Sequence, residues 1–203
     1  MTERRPRRHF SMIRDFHLAD FFTIANGFCG IAAVFETMKF LATRDRHHLY
    51  VAALLVPLAL IFDVLDGRIA RWRHKSSPMG RELDSLADVI SFNVAPAGIA
   101  FAAGLDTVLD QVILMYFVGC GVSRLARYNI TAESLAADTG KVTYFEGTPV
   151  PTSLIPLGLL MLAFRQDALV PVRWLGVSFH LVALLFLLSG SLMISKTLRI
   201  PKP

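Results

Sequence analysis

Charge and cysteine are both scarce in this chain. Asp, Glu, Lys and Arg make up 18% of its 203 residues, against roughly 25% in a soluble globular domain. A chain so poor in charge is neither a disordered segment nor a basic nucleic-acid arm. The two cysteines, Cys29 and Cys120, lie in separate apolar runs. They offer no disulfide framework and no metal cluster, and read as small buried apolar residues. No internal repeat or low-complexity tract interrupts the chain, which leaves solenoids and linker-like segments out of account.

What is present is apolar. Hydrophobic residues make up 54% of the chain, the mean hydropathy is +0.50, and the net charge is +5 with a pI near 9.6. An apolar, basic chain points to a membrane protein with basic faces toward anionic lipid. Six apolar runs follow one another: 18–41, 49–72, 86–105, 108–128, 150–164 and 172–194. The expected fold is an all-α integral membrane protein, a six-helix transmembrane bundle. Residues 1–17 read as a short basic interfacial segment, 18–195 as the membrane domain and 196–203 as a basic tail. The first apolar run is too long for an export-signal core and no small-residue cleavage site closes it, so it reads as a first anchor helix.

Lys and Arg are sided. With six spans and the N-terminus inside, sixteen of them fall on the inner side, and five (Lys39, Arg44, Arg46, Arg165, Arg173) on the outer. The positive-inside rule then places both termini in the cytoplasm. His47 and His48 read as solvated outer-loop residues, and His180 as a packed histidine within the last span.

Acids are concentrated where a membrane protein should avoid them. Asp63 and Asp66, then Asp84 and Asp88, sit at or near the ends of two apolar segments. Even on a lenient scale, one charged side chain at mid-span costs about 2.5–3.5 kcal/mol, so these four carboxylates require a cation. Spacings of three and four residues put each pair on one helix face. The turn-like stretch 73–79 lets the two helices fold back against one another, so that the four carboxylates converge near the cytoplasmic interface. Hard oxygen ligands in that arrangement suit two divalent ions, Mg²⁺ or Mn²⁺. On a helical wheel Gly67, Ala70 and Arg71 fall within about 80° of Asp63. Small residues beside a guanidinium and bound cations suit a pyrophosphate. Interfacial ion pairs, such as Asp66 with Arg71, explain neither the convergence nor the small residues between.

The pattern Asp-x2-Asp-Gly-x2-Ala-Arg-x8-Gly-x3-Asp-x3-Asp is complete from Asp63 to Asp88. It resembles the signature of the CDP-alcohol phosphotransferases, integral membrane enzymes of lipid synthesis. The resemblance implies that Asp63, Asp66 and Asp84 bind two divalent metals. It makes Asp88 the general base and a further ligand. It also implies that Gly67, Ala70, Arg71, Ser77 and Gly80 line the site for the CDP-linked lipid, with Asn26 of the first span close to it.

Four further stretches, 23–30, 82–88, 124–129 and 145–152, resemble the serine-accepting branch of that family. They imply CDP-diacylglycerol and L-serine as substrates, phosphatidylserine and CMP as products, and a homodimer. Asn93 departs from the pattern, which has glycine before Ala95-Pro96-Ala97. Serine is a zwitterion, and Arg127 and Asn129 are the residues expected to hold it. Other acceptors (inositol phosphate, glycerol phosphate, choline) remain open on charge alone. A divalent metal-ion transporter is the reading from a different class. It would spread carboxylates over several helices at mid-membrane, whereas here they gather on two helices toward one side.

Overall fold

The computed structural model describes residues 18–73, 78–138, 144–174, 176–195, 197 and 199–201. Two long helices come first. Helix α1 runs Leu18–Thr43 and α2 runs Arg46–Arg73. At 1.5 Å per residue each is about 40 Å long, enough to cross a hydrocarbon core of about 30 Å. The turn between them is tight: Arg44 takes a positive φ of 60° and its N–H bonds the carbonyl of Phe40 at 2.7 Å. Asp45 then caps α2 by accepting the N–H of His47 at 2.9 Å, one of the orphan donors at a helix start. His47 and His48 therefore belong to the first turn of α2 and not to a loop. His48 Nδ1 meets Glu36 Oε2 at 2.7 Å.

The third span is composite. Helix α3 (Pro78–Val89) passes into a π-helical turn (Ile90–Val94) and then into α4 (Ala95–Ala103). Pro96 accounts for the change of pitch. It has no N–H to donate and its ring clashes with the preceding turn. The ladder widens there, so that Ala95 N–H bonds the Ile90 carbonyl five residues back. Ser91, Phe92 and Asn93 are buried in this turn.

Helix α5 (Val108–Asp138) crosses next. Strand β1 (Tyr144–Glu146) and a 3-10 turn (Val150–Ser153) lead into helix α6 (Leu154–Arg165). Then β2 (Pro171–Trp174) and β3 (Val177–His180) form an antiparallel hairpin, followed by helix α7 (Ala183–Ile194) and strand β4 (Arg199–Pro201). Strand β4 pairs antiparallel with β1.

Among the described residues, four segments are long and apolar enough to cross a membrane: Asp20–Thr43, Arg46–Ile69, Met79–Ala103 and Val108–Ile130. Val150–Arg165 and Ala183–Ile194 are shorter apolar helices. The molecule is mostly helical, but the expected last run, 172–194, is not one helix. Its first part alternates β-branched and aromatic residues with polar ones and turns at Gly176 (φ 83°), which makes a hairpin. Apolar composition masked that alternation.

The core is packed from small, aliphatic and aromatic residues. Ala33, Ala52, Val56 and Ala59 close the α1–α2 seam, and Phe117 of α5 meets Phe186 of α7 edge-on at 5.3 Å. Large apolar side chains on the outside, among them Phe28, Phe35, Leu54, Ile61 and Met115, stay exposed. That is the inverse of a soluble surface and fits contact with lipid.

Candidate active site

The acids meet where α1, α2 and α3 pack together. Asp63 and Asp66 lie one turn apart on α2, and Asp84 and Asp88 one turn apart on α3. Asp63, Asp66 and Asp84 each offer a carboxylate oxygen, and these atoms all lie within 4.8 Å of one another. Asp66 and Asp88 are buried, at 6% and 7% exposure. Asp84 Oδ1 is buried with no hydrogen-bond partner among the described residues. An unpartnered carboxylate oxygen beside two further carboxylates is costly on its own. The donor set of hard oxygens at this spacing fits divalent cations.

Helix α1 supplies the donors that hold the acids in place. Thr23 Oγ1 donates to Asp66 Oδ2 at 2.8 Å, and Asn26 Nδ2 donates to Asp88 Oδ1 at 3.0 Å. Ser91, in the π turn, donates to the Asn26 carbonyl at 2.8 Å. Asn26 is fully buried and its Oδ1 has no partner among the described residues, so it retains one acceptor. Close approach of the helices makes these bonds possible. A Cβ on Gly27 would already touch Ala87 at 3.5 Å, and one on Gly30 would sit 2.8 Å from Ser91 Cα. The sequence singled out Asn26 but gave no role to Thr23 or Ser91. Thr23 stands one turn before Asn26, which is the signal that would have found it.

Gly67 follows Asp66 on α2, and a Cβ there would meet nothing within 4 Å. The helix surface beside the acids is therefore open. Ala70 and Arg71 continue the backbone of α2, and Gly80 lies in the first turns of α3. Ser77 lies outside the described residues.

The family model described as CDP-alcohol phosphatidyltransferase matches residues 16–189. The chain belongs to this family. Among its relatives is the CDP-diacylglycerol–serine O-phosphatidyltransferase of Saccharomyces cerevisiae, 45% identical over 215 residues, 96% of this chain and 74% of the relative. The protein of that name from Bacillus subtilis is 29% identical over 79% of this chain and 84% of its own. That from Helicobacter pylori is 36% identical over 70% and 55%.

In this CDP-alcohol phosphatidyltransferase, the two residues expected to hold serine go to different neighbours. Asn129 faces α3: its Nδ2 lies 3.1 Å from Ser85 Oγ and 3.3 Å from Glu82 Oε1. Arg127 turns the other way, and its Nη2 donates to the Ile194 carbonyl at 3.2 Å, at the end of α7. It lines a cavity of about 640 Å³ with Tyr116, Cys120 and Ser123. Two residues apart on a helix are about 200° apart in direction, which accounts for the split. Asn93, the departure from the family pattern, is fully buried against α5, where only the missing side chain of Gly121 leaves it room.

Proposed function

We propose that this chain transfers the phosphatidyl group of CDP-diacylglycerol to the hydroxyl of L-serine, giving phosphatidylserine and CMP. The observation that carries the reading is the convergence of Asp63, Asp66 and Asp84 within 4.8 Å, with Asp88 one turn beyond and tied to Asn26. The serine-accepting relatives support the choice of acceptor over inositol phosphate, glycerol phosphate or choline.

Asp63, Asp66, Asp84 and Asp88 would hold two divalent cations, Mg²⁺ or Mn²⁺. Bound there, the ions would neutralise charge on the pyrophosphate and on the departing CMP. The open helix face at Gly67 gives the liponucleotide a place to lie, with Ala70 part of the same proposed surface, and Asn26 Oδ1 offers it an acceptor. Arg71, Ser77 and Gly80 complete the proposed nucleotide side. The serine oxygen attacks the phosphorus of the phosphatidyl group as the pyrophosphate P–O bond breaks. Asp88 takes the hydroxyl proton during the attack. Direct attack inverts the configuration at phosphorus and forms no phosphatidyl-enzyme.

The proposal includes six membrane crossings, with α6 and α7 as the short last two. Both termini and the acids would lie at the cytoplasmic side, and two chains would form a homodimer. At that interface acyl chains stay in hydrocarbon while cytidine and serine reach the acids from water. The test is CMP release by purified protein given CDP-diacylglycerol, Mn²⁺ or Mg²⁺, and each of serine, inositol phosphate, glycerol phosphate and choline. Release with serine alone is the expected result. Release with another acceptor instead overturns the assignment, and silence with all of them revives the transporter.

A further inference from the structure

The hairpin β2–β3 has two unlike faces. Its register pairs Val172 with Phe179 and Trp174 with Val177 on one face, and Pro171 with His180 and Arg173 with Ser178 on the other. The second face is anchored, because His180 is buried and bonded to Asp110 in the first turn of α5. The first face therefore turns away from α5, and Val172 and Val177 on it are exposed.

Two contacts fix the level of the hairpin in the bundle. His180 meets Asp110 at the start of α5, and the Ile194 carbonyl at the end of α7 accepts from Arg127. Asp110 and Arg127 are seventeen residues apart, about 26 Å of helix, close to a hydrocarbon core of about 30 Å. Helix α7 has 12 residues and supplies about 18 Å of that height. The hairpin and the turn into α7 make up the rest. The apolar run of α5 begins at Val108, itself exposed, directly after Asp106 and Thr107. The hairpin thus stands at the level where hydrocarbon gives way to headgroups, at the end of the bundle away from the acids.

The apolar face is continuous with a lipid-facing stripe. Leu184, Leu188 and Leu192 are exposed on one side of α7. Exposed Leu181 stands just before them, and Val177 and Phe179 precede it at every second residue along β3.

We propose that β2–β3 is an interfacial anchor whose partner is the phospholipid surface of the leaflet opposite the acids. Val172 and Val177 dip among the acyl chains, and Arg173 on the other face extends to the lipid phosphates. The inference rests on the membrane-spanning reading above. Backbone chemistry limits the depth. The sheet has two strands, so their outer edges have no neighbouring strand among the described residues, and hydrocarbon does not tolerate unpaired edges. Water in the headgroup layer satisfies them, while the apolar face alone enters, as the apolar side of an interfacial helix does to about 5–10 Å. The hairpin thereby completes a crossing for which α7 alone is too short.

The test uses the full chain in liposomes of phosphatidylcholine and phosphatidylglycerol. Val172→Cys, Arg173→Cys, Val177→Cys and Leu188→Cys each carry one nitroxide. Cys29 and Cys120 are buried, and the wild type treated in the same way gives the blank. Collisions with oxygen, which concentrates in hydrocarbon, and with a nickel chelate, which stays in water, report the depth of each label. Labels at 172 and 177 should lie about 5–10 Å below the phosphates, that at 173 level with the phosphates or above, and that at 188 deeper than all three. Labels at 172 and 177 that report water, or equal depths at 172 and 173, overturn the anchor. Exclusion of 172 and 177 from both probes also overturns it, because protein and not lipid then covers the face. A label at 188 that reports water is a different result, which sinks the membrane-spanning reading itself. If a variant fails to fold, the unsubstituted protein decides. Photolysis with a phospholipid bearing a diazirine at the top of an acyl chain should mark Pro171–His180, and marking confined to the helices overturns the anchor.

Discussion

Asn26 on α1 donates its side-chain N–H to Asp88 on α3 at 3.0 Å, across 62 residues of sequence. Its side-chain carbonyl oxygen is buried with no partner among the described residues, while its main-chain carbonyl is taken by Ser91. One residue thus ties the first span to the third, holds the proposed base and retains an acceptor for substrate.

Removing that side chain should therefore affect chemistry and binding together. A hydrogen bond to a charged group contributes about 1.5–3 kcal/mol, or about ten- to 100-fold in rate. Asn26→Ala is expected to lower kcat by that factor and to raise the KM for CDP-diacylglycerol. Asn26→Asp adds a carboxylate facing Asp88 and should lose more. Steady-state CMP release separates kcat from KM, and an Asn26→Ala enzyme with wild-type constants would refute the coupling.

Asp84 gives a prediction of opposite sign for stability and activity. Its Oδ1 is buried without a partner among the described residues, and its neighbours Asp63 and Asp66 are also acids. Asp84→Asn removes one like charge from the cluster. In EDTA the variant should melt above the wild type, by about 2–4 °C for each kcal/mol gained in a chain of this size. With Mn²⁺ present the order should reverse, since the wild type gains stability from a bound ion and the variant gains less. CMP release should collapse. Thermal melts with and without metal check this, and a wild type indifferent to EDTA and Mn²⁺ removes the metal site.

Gly30 and Gly67 look alike in the sequence and should behave in opposite ways. A Cβ at Gly30 would press on Ser91 Oγ at 2.6 Å and on Ser91 Cα at 2.8 Å. Gly30→Ala must push α1 away from the π turn, and overpacking of this kind costs about 1–3 kcal/mol. At Gly67 the added methyl meets nothing, and an alanine in mid-helix is favoured over glycine by about 0.8–1.0 kcal/mol. Gly67→Ala should melt no lower than the wild type, yet raise the KM for CDP-diacylglycerol if the lipid lies against that face. The melting temperatures and the two KM values give the comparison.

The acids were legible because helical spacing and the cost of charge in lipid are local facts, written at Asp63, Asp66, Asp84 and Asp88. Asn26 was legible through family likeness. What sequence could not supply was direction between distant elements. Arg127 and Asn129 are near neighbours in the chain but face α7 and α3 respectively. The π turn at Ile90–Val94 has no periodic signature over five residues. The hairpin at Pro171–His180 was hidden in apolar composition. His180 read as a packed histidine, which it is, but its partner Asp110 is 70 residues away.

That pair carries the last prediction. His180 Nδ1 lies 2.7 Å from Asp110 Oδ2, and the His180 N–H donates to Oδ1 at 2.9 Å. Thr107 Oγ1 donates to the same carboxylate at 2.7 Å. The Thr107 main-chain N–H adds a fourth bond to it at 3.2 Å, and Asp110 is fully buried, so these bonds stand in for water. The clasp pins the hairpin to the start of α5, nineteen residues or about 28 Å of helix from Asn129, which meets α3. His180→Ala leaves a buried carboxylate short of a partner, a loss of about 3–5 kcal/mol when one member of a buried pair is removed. The melting temperature should fall by about 2–4 °C per kcal/mol. Asp110→Asn, which keeps one acceptor oxygen and removes the charge, should cost less. In both variants kcat and KM of the folded enzyme should match the wild type, because the clasp is at the far end of α5 from the acids. A variant that melts normally but turns over slowly would show instead that this end of the molecule communicates with the active site.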